Sequence, residues 1–377
     1  MDDDELFGLT NLPYGVYSVE GTEPRVGTRF GDHVIDLSTL LEESVFDAPS
    51  LNPFMAEGRG RWDDVRGRII VALTGGVPHR GAYPIEDVTL HMPFVVADYV
   101  DFYASEQHAS NLGRLFRPDN PDPLMPNWRH LPVSYTGRAA SVVVSGTQIV
   151  RPAGQWLPKG KSTPEYGPSE RLDIEAELGF VVGVGNQMGT SIAAADAADH
   201  IFGVVLFNDW SARDIQAWEY APLGPHLGKS FASTVSPWVV PLAALDLARV
   251  PTPPQQPKPI AYLEMDEPWG LDIDIAVEWN GEVISRPPYA STYWSPAQML
   301  AHLTANGAPT RTGDLFASGT VSGPTDDQVG SLIERGRGFL EDGDEIVLRA
   351  TAPGANGTRI GFGEAYGRIV PSPIGAA

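Results

Sequence analysis

The stretch RLDIEAELGFVV, Arg171–Val182, sets Leu172, Ile174, Ala176, Leu178 and Phe180 in alternation with Asp173, Glu175 and Glu177. A period of two marks a β-strand with an apolar face and an acidic face. Same-face neighbours on a strand lie roughly 7 Å apart, so the three carboxylates repel one another unless something screens them. Two readings follow. Either the acidic face is bathed in water, or it points inward and holds a hard cation such as Ca²⁺ or Mg²⁺, which takes oxygen ligands.

Further along the chain, Ile201–Phe207 is a continuous apolar run, expected to be a fully buried strand, and Asp209 stands just beyond it. Ser211 and Asp214 have the spacing of a capping box with Asp in place of Glu. A helix from there through Glu219 puts Arg213, Gln216 and Tyr220 on one face. Lys229 sits in LGPHLGKSF, among glycines that let a ligand come close to the backbone. Earlier in the chain, Asp101-Phe102-Tyr103 reads as a strand end entering a helix at Glu106-Gln107-His108. His108 suits a titrating group if a carboxylate orients its ring. Glu334 falls in a glycine-rich loop after Ser318-Gly319-Thr320, a setting compatible with active-site use. Each of these residues also has a plain structural reading, Asp209 as a helix cap and His108 as a packed imidazole.

The 377 residues suffice for a large core and about two domains. With 42% hydrophobic residues the chain is ordinarily globular, and 40 Gly with 34 Pro favour short strands and many turns. The net charge of −22 repels phosphate backbones and anionic membranes, so neither nucleic acid nor membrane is expected as a partner. An anionic substrate must therefore be drawn by a local positive site. No cysteine is present, which excludes disulfides, thiolate metal sites and Cys nucleophiles and fits a cytoplasmic protein. The acidic start MDDDELFG has no basic or apolar leader character, so no secretory signal is expected, and no apolar run is long enough to span a bilayer. Two glycine patterns, Gly183-x-Gly185-x-x-x-Gly189 and Gly361-x-Gly363-x-x-x-Gly367, miss the dinucleotide spacing by one residue. Walker A, His-Glu-x-x-His and Gly-x-Ser-x-Gly motifs are lacking.

Residues 1–95 read as a small β-rich unit and 96–377 as a larger, mainly β unit with short helices. Gly31-Asp32 predicts a hairpin between Arg25–Phe30 and His33–Leu37, and Asn280-Gly281 another between Asp272–Val277 and Glu282–Ser285. A helix is expected over Arg59–Leu73, and a second opens at Ser295-Pro296. Ser141–Val144 and Gln148–Val150 flank a glycine-containing turn, and Pro251–Pro259 is a stiff exposed loop.

Several longer motifs resemble the fumarylacetoacetate hydrolase family of the two-domain type. They are NLPYGVYS from Asn11, DFYASEQHASNLGRLF from Asp101, PNWRHLPVS from Pro126, NDWSARDIQAWEY from Asn208, PLGPHLGKSF from Pro222 and SPWVVP from Ser236. The resemblance implies a small N-terminal SH3-like barrel, a larger mixed β-sandwich roll and a homodimer. It implies Ca²⁺ ligation by Asp101, Glu175, Glu177 and Asp209, and a Mg²⁺ site involving Asp209, Lys229 and Ser233. Substrate contacts would come from Tyr103, Arg117, Tyr135, Gln216, Tyr220 and Thr320. His108 would be the general base, oriented by Glu334, while Arg213, Gln216 and Lys229 would stabilise developing charge. The implied reaction is hydrolysis of a carbon–carbon bond in the β-diketone 4-fumarylacetoacetate, in tyrosine and phenylalanine breakdown. The chain departs from the family at Ser233, where Thr is common, and after Ser331, where the segment is shorter and Arg335-Gly336-Arg337-Gly338 replaces a Trp-containing strand. A related acylpyruvate or diketo-acid enzyme and a non-catalytic metal-binding protein are the other readings. The first is disfavoured by Arg117, Tyr135, Gln216 and Tyr220, and the second by His108.

Overall fold

The structure, a computed structural model, describes residues 3–267, 269–336 and 338–375. It is mainly β with short helices. The largest sheet is built on two antiparallel strands, Ala176–Val182 and Ile201–Asp209, with Ala176 opposite Asn208 and Val181 opposite Gly203. Leu315–Ala317 continues the sheet on one side and runs parallel to Tyr99–Phe102. Ser233–Val235 and Trp238–Pro241 continue it on the other.

Both central strands are buried along their whole length. Their alternate residues enter two different cores. Val181, Val205, Phe207 and Leu315 join residues of the N-terminal segment. Leu178, Phe180, Val204, Leu206 and Phe316 join the other core. That second core is closed by a five-stranded sheet containing Asp274–Trp279, Glu345–Pro353 and Arg359–Val370. Its Ile275, Val277, Leu348 and Phe362 pack there. A strand covered on both faces needs apolar residues at every position, which explains the unbroken run from Ile201.

The N-terminal strands Tyr14–Ser18, Arg25–Phe30, His33–Asp36 and Ala82–Pro84 pair antiparallel in that spatial order. Thr89–His91 also pairs with the first of them. These pairings form no closed barrel among the described residues. They do not end at a boundary either. Tyr14 lies opposite Val239 and Gly15 opposite Trp238, so one sheet runs from the N-terminal segment into the rest of the molecule. A Cβ on Gly15 would come within 2.6 Å of the Trp238 ring, and glycine is what lets the two strands meet. The helix Arg59–Leu73 covers this region with Trp62, Val65, Ile69 and Leu73 buried.

Local signals are reproduced where turn chemistry is decisive. Phe30 pairs with His33 around Gly31, which has φ 59°. Trp279 pairs with Glu282 around Asn280 and Gly281, both at positive φ, the backbone of a type I′ turn. The helix Pro296–Thr304 starts with a complete capping box between Ser295 and Gln298. Among the described residues no helix is long and apolar enough to cross a membrane.

Two local expectations are corrected. Arg171–Val182 is not one strand but two, Leu172–Asp173 and Ala176–Val182. Between them, the Ile174 N–H donates to the Asp173 carboxylate and the Glu175 N–H to the Asn208 side chain, so side chains take the place of the ladder. The Ser211/Asp214 capping box does not form. Ser211 pairs in a sheet with Asp173, while the Asp214 carboxylate accepts from Ser169 Oγ and the Glu170 N–H. Val142–Val144 and Ile149–Val150 do flank a glycine-containing turn, as expected. They pair in parallel with Ser233–Val235 and Ile369–Val370, and Gly146 at φ 91° turns the chain from one sheet to the other.

Candidate active site

Strand ends deliver four carboxylates to one point. Asp101 lies near the end of Tyr99–Phe102, Asp209 ends Ile201–Asp209, Glu177 is in the central strand and Glu175 is in the break before it. One oxygen from each lies within 4.8 Å of the others. All four residues are buried. The acidic face of the opening segment therefore points inward, and its solvated reading is overturned.

Two cations reach the cluster. Lys229 Nζ donates to Glu175 and, at 2.7 Å, to Asp209 Oδ2. Arg213 Nη1 lies 2.8 Å from Glu175 Oε1. Ser233 Oγ and the Tyr135 hydroxyl donate to Asp209 at 2.7 and 3.1 Å. Among the described residues Glu177 accepts only the Gly319 N–H, at 2.9 Å. Asp101 Oδ1 and Glu177 Oε1 are buried without any hydrogen-bond partner.

Protonation follows this asymmetry. Burial would raise the Glu175 carboxyl, but Lys229 and Arg213 outweigh it and hold the group below its ordinary range. Asp209 shares Lys229 but lacks the arginine, and burial keeps it raised. Burial pushes Asp101 well above the usual carboxylate range, with Lys229 only partly offsetting it. Glu177 is driven well up by burial and by its carboxylate neighbours. Burial would strip the Lys229 proton, but Asp209 and Glu175 hold its ammonium charged.

With all four carboxylates ionised they would face only Lys229 and an arginine that is shared with Asp173, leaving at least two negative charges uncompensated among the described residues. An all-oxygen donor set with two unpartnered buried oxygens fits a hard divalent cation.

Beside this cluster stands a His–Glu pair. The helix Glu106–Phe116 carries His108, and Ser105 caps it by accepting the His108 N–H. His108 Nδ1 lies 2.7 Å from Glu334 Oε2. A carboxylate only accepts, so Nδ1 carries the proton, and in the neutral ring the lone pair is the one on Nε2. Tyr103 meets the imidazole edge-on at 5.3 Å between ring centroids. Glu334 is not in a loop as expected but in the one-turn helix Leu332–Arg335, ended by Gly336 at φ 63°.

Asn111 Nδ2, Ser331 Oγ and Ser322 Oγ also donate to Glu334, at 2.9, 2.6 and 3.0 Å. The residue-by-residue reading had missed these three. Two had left a signal: Asn111 is one turn beyond His108, and Ser331-x-x-Glu334 is a helix-start pattern.

Burial would raise the Glu334 carboxyl, but the His108 charge and these donors bring it down to about 2 from an ordinary 4.5. A depressed carboxyl stabilises the fold above its unfolded pKa and loses that contribution as pH falls through the folded value. Glu334→Gln is therefore expected to remove about 3 kcal/mol of the stability difference between pH 5 and pH 2, measured by urea unfolding across that window.

Of the remaining expected residues, Gln216 bonds Arg213 Nη1 at 3.1 Å, joining two members of the predicted helix face. Tyr220 follows that helix and is 51% exposed. Thr320 Oγ1, Arg117 Nε and Arg213 Nη2 are buried without partners, three donors free to meet ligand oxygens. Arg117 follows the His108 helix and bonds the Pro123 carbonyl. The loop folds back so closely that a Cβ on Gly113 would sit 1.9 Å from that same oxygen. Gly113→Ala should displace this loop and cost about 1–3 kcal/mol, read as a lower urea midpoint.

Residues 98–370 match the family model described as fumarylacetoacetate (FAA) hydrolase C-terminal, and residues 10–93 match fumarylacetoacetase N-terminal. The human fumarylacetoacetase is 44% identical, with 98% of this chain and 97% of that one aligned. The Arabidopsis thaliana fumarylacetoacetase is 42% identical over the same shares. Among solved structures, a fumarylacetoacetate hydrolase from psychrophilic Exiguobacterium antarcticum superposes with a TM-score of 0.58 at 18% identity, covering 96% of this chain and 99% of that one. Maleylpyruvate hydrolase from Sphingobium sp. SYK-6, in complex with manganese (II) ion and pyruvate, gives 0.57 at 16% identity, covering 96% and 100%. These two similarities concern the fold.

Proposed function

The chain belongs to the fumarylacetoacetate hydrolase family, and from that premise we infer that it is a hydrolase cleaving fumarylacetoacetate to fumarate and acetoacetate. The observation that carries the chemistry is the His108–Glu334 pair at 2.7 Å beside the buried carboxylate cluster. Carbon–carbon hydrolysis needs a base for water and positive charge where an enolate develops, and both requirements have candidates here.

His108 Nε2 takes a proton from water as its oxygen attacks the fumaryl carbonyl. Glu334 stabilises the resulting imidazolium through Nδ1. The carbon–carbon bond then breaks, its electron pair goes to the acetoacetate enolate, and the imidazolium returns a proton to that carbon. Arg213, with an unpartnered Nη2, and Lys229, held charged between Glu175 and Asp209, favour the developing negative charge, and Gln216 holds Arg213. Arg117 pairs with a substrate carboxylate, giving the local attraction that a −22 chain otherwise lacks. Tyr103, Tyr135, Tyr220 and Thr320 complete the substrate contacts.

Asp101, Glu175, Glu177 and Asp209 would hold a divalent cation, Ca²⁺ or Mg²⁺, with Lys229 and Ser233 beside Asp209. Such an ion supplies Lewis acidity toward the diketone oxygens. A homodimer, a cytoplasmic setting, a division near residue 95 and an SH3-like N-terminal barrel belong to the same reading, which rests on the family resemblance.

The test is direct. Purified protein with a divalent cation should consume fumarylacetoacetate, followed by loss of its absorbance, and release fumarate and acetoacetate in equal amounts. Failure to turn it over under those conditions would remove the proposal.

A further inference from the structure

Asp173 lies in the acidic row of the opening segment but is not one of the four clustered carboxylates. It is fully buried, at 0% exposure. Its two oxygens collect four N–H donors from three parts of the chain. Oδ1 accepts the N–H groups of Ile174 and Leu332, both at 2.7 Å. Oδ2 accepts Arg213 Nε at 2.7 Å and the Ile333 N–H at 3.2 Å. Leu332 and Ile333 open the one-turn helix whose third residue is Glu334. Arg213 opens the helix Arg213–Glu219 and reaches Glu175 and Gln216 through Nη1.

One carboxylate thus ties the group that orients the His108 ring to the guanidinium beside the carboxylate cluster. The Ser331–Arg335 turn is also held by Leu332 in the core and by the donors on Glu334, but it is Asp173 that accepts its first two N–H groups. Ser331, its N-cap, makes no capping bond because its hydroxyl is turned to Glu334. The guanidinium, in turn, presents Nη2 unpartnered only because Nε and Nη1 are both engaged. Neither arrangement survives a shift of the other if Asp173 is to keep all its donors.

We propose that Asp173 is a positioning residue that holds the Glu334–His108 pair and the free edge of Arg213 in a fixed relation. It touches neither the reacting atoms nor the cation. The inference rests on the hydrolase reading for its catalytic consequence but not for its structural one. An Asn at this position has the same shape but must turn an N–H toward donors, so it cannot satisfy both Arg213 Nε and the two helix N–H groups.

The experiment pairs kinetics with hydrogen exchange. In Asp173→Asn, kcat should fall about 100-fold while KM changes less than about threefold, the pattern of misplacement rather than lost binding. In the Glu334→Gln background the same change should cost less than about tenfold, because both substitutions loosen one unit. A rise in KM at normal kcat, or costs that multiply independently in the double variant, would overturn the proposal.

If Asp173→Asn does not fold, Arg213→Met reads the same link from its other end. That substitution removes one of the two donors to Asp173 Oδ2, leaving the Ile333 N–H, and amide exchange across 331–336 should accelerate severalfold. Unchanged exchange there would equally overturn the proposal. Exchange is read without substrate, so an inactive wild-type protein would count against the hydrolase reading and not against this one.

Discussion

His108→Ala is expected to lower kcat by about 10²–10⁴-fold while leaving the bound divalent cation in place. The separation of these two outcomes follows from the site. His108 is not part of the carboxylate cluster, and among the described residues its ring bonds only Glu334. In the proposed mechanism, removing the ring takes away the lone pair that accepts the water proton and the acid that returns it to carbon. It does not strand Glu334, which keeps Asn111, Ser331 and Ser322 as donors. The variant should therefore fold, bind metal with near wild-type stoichiometry by elemental analysis, and fail in the absorbance assay. Near-normal turnover would exclude His108 as the base.

Chelation should produce the second large effect, loss of turnover together with loss of stability. Glu175 and Asp209 have Lys229, and Glu175 also has Arg213, but among the described residues no cation lies within ion-pair distance of Asp101 or Glu177. Two buried carboxylates in that condition are costly unless a cation neutralises them. A ligand present at a hundred times its dissociation constant stabilises by about 2.7 kcal/mol, so stripping it should remove a comparable amount of stability, read as a lower thermal midpoint. Thermal melts and the absorbance assay, run after chelation and after adding back Ca²⁺, Mg²⁺ or Mn²⁺ one at a time, measure both effects. Full activity after exhaustive chelation would remove the cation from the mechanism.

Much of the site was legible because its residues lie in runs whose local pattern survives folding. Glu175 and Glu177 are two apart and keep a common face even though the strand breaks just before Ala176. The buried strand from Ile201 could be read from its apolar continuity, and Asp209 from its place at the strand end. The hairpin at Asn280-Gly281 was equally plain, since positive φ at both positions is a local demand. What sequence could not supply was competition from distant partners. Ser211 and Asp214 have capping-box spacing, but Ser169 and Glu170 claim the Asp214 carboxylate from more than forty residues away. Glu334 looked like a loop residue because glycines follow it, whereas backbone donors gathered by Asp173 anchor a helical turn there. The continuity of the N-terminal strands with Trp238–Pro241 likewise had no local mark beyond the small size of Gly15.

That continuity governs how the molecule is made. Tyr14 cannot meet Val239 until the ribosome has added more than two hundred further residues, and the apolar faces of Tyr14, Val16 and Val26 belong to a core completed by Val205, Phe207 and Val239. The first ninety residues emerge without the surface they are built to cover. They can form their hairpins early, but they must wait for the centre of the chain before they are sealed. Pairing across such sequence distance is slow. A nascent chain of this protein can cover the Val16–Ser18 end of its first strand with Thr89–His91, but it spends much of its synthesis with Tyr14 and Gly15 unmatched at that same edge, an exposed strand end that needs protection from aggregation before the chain is finished.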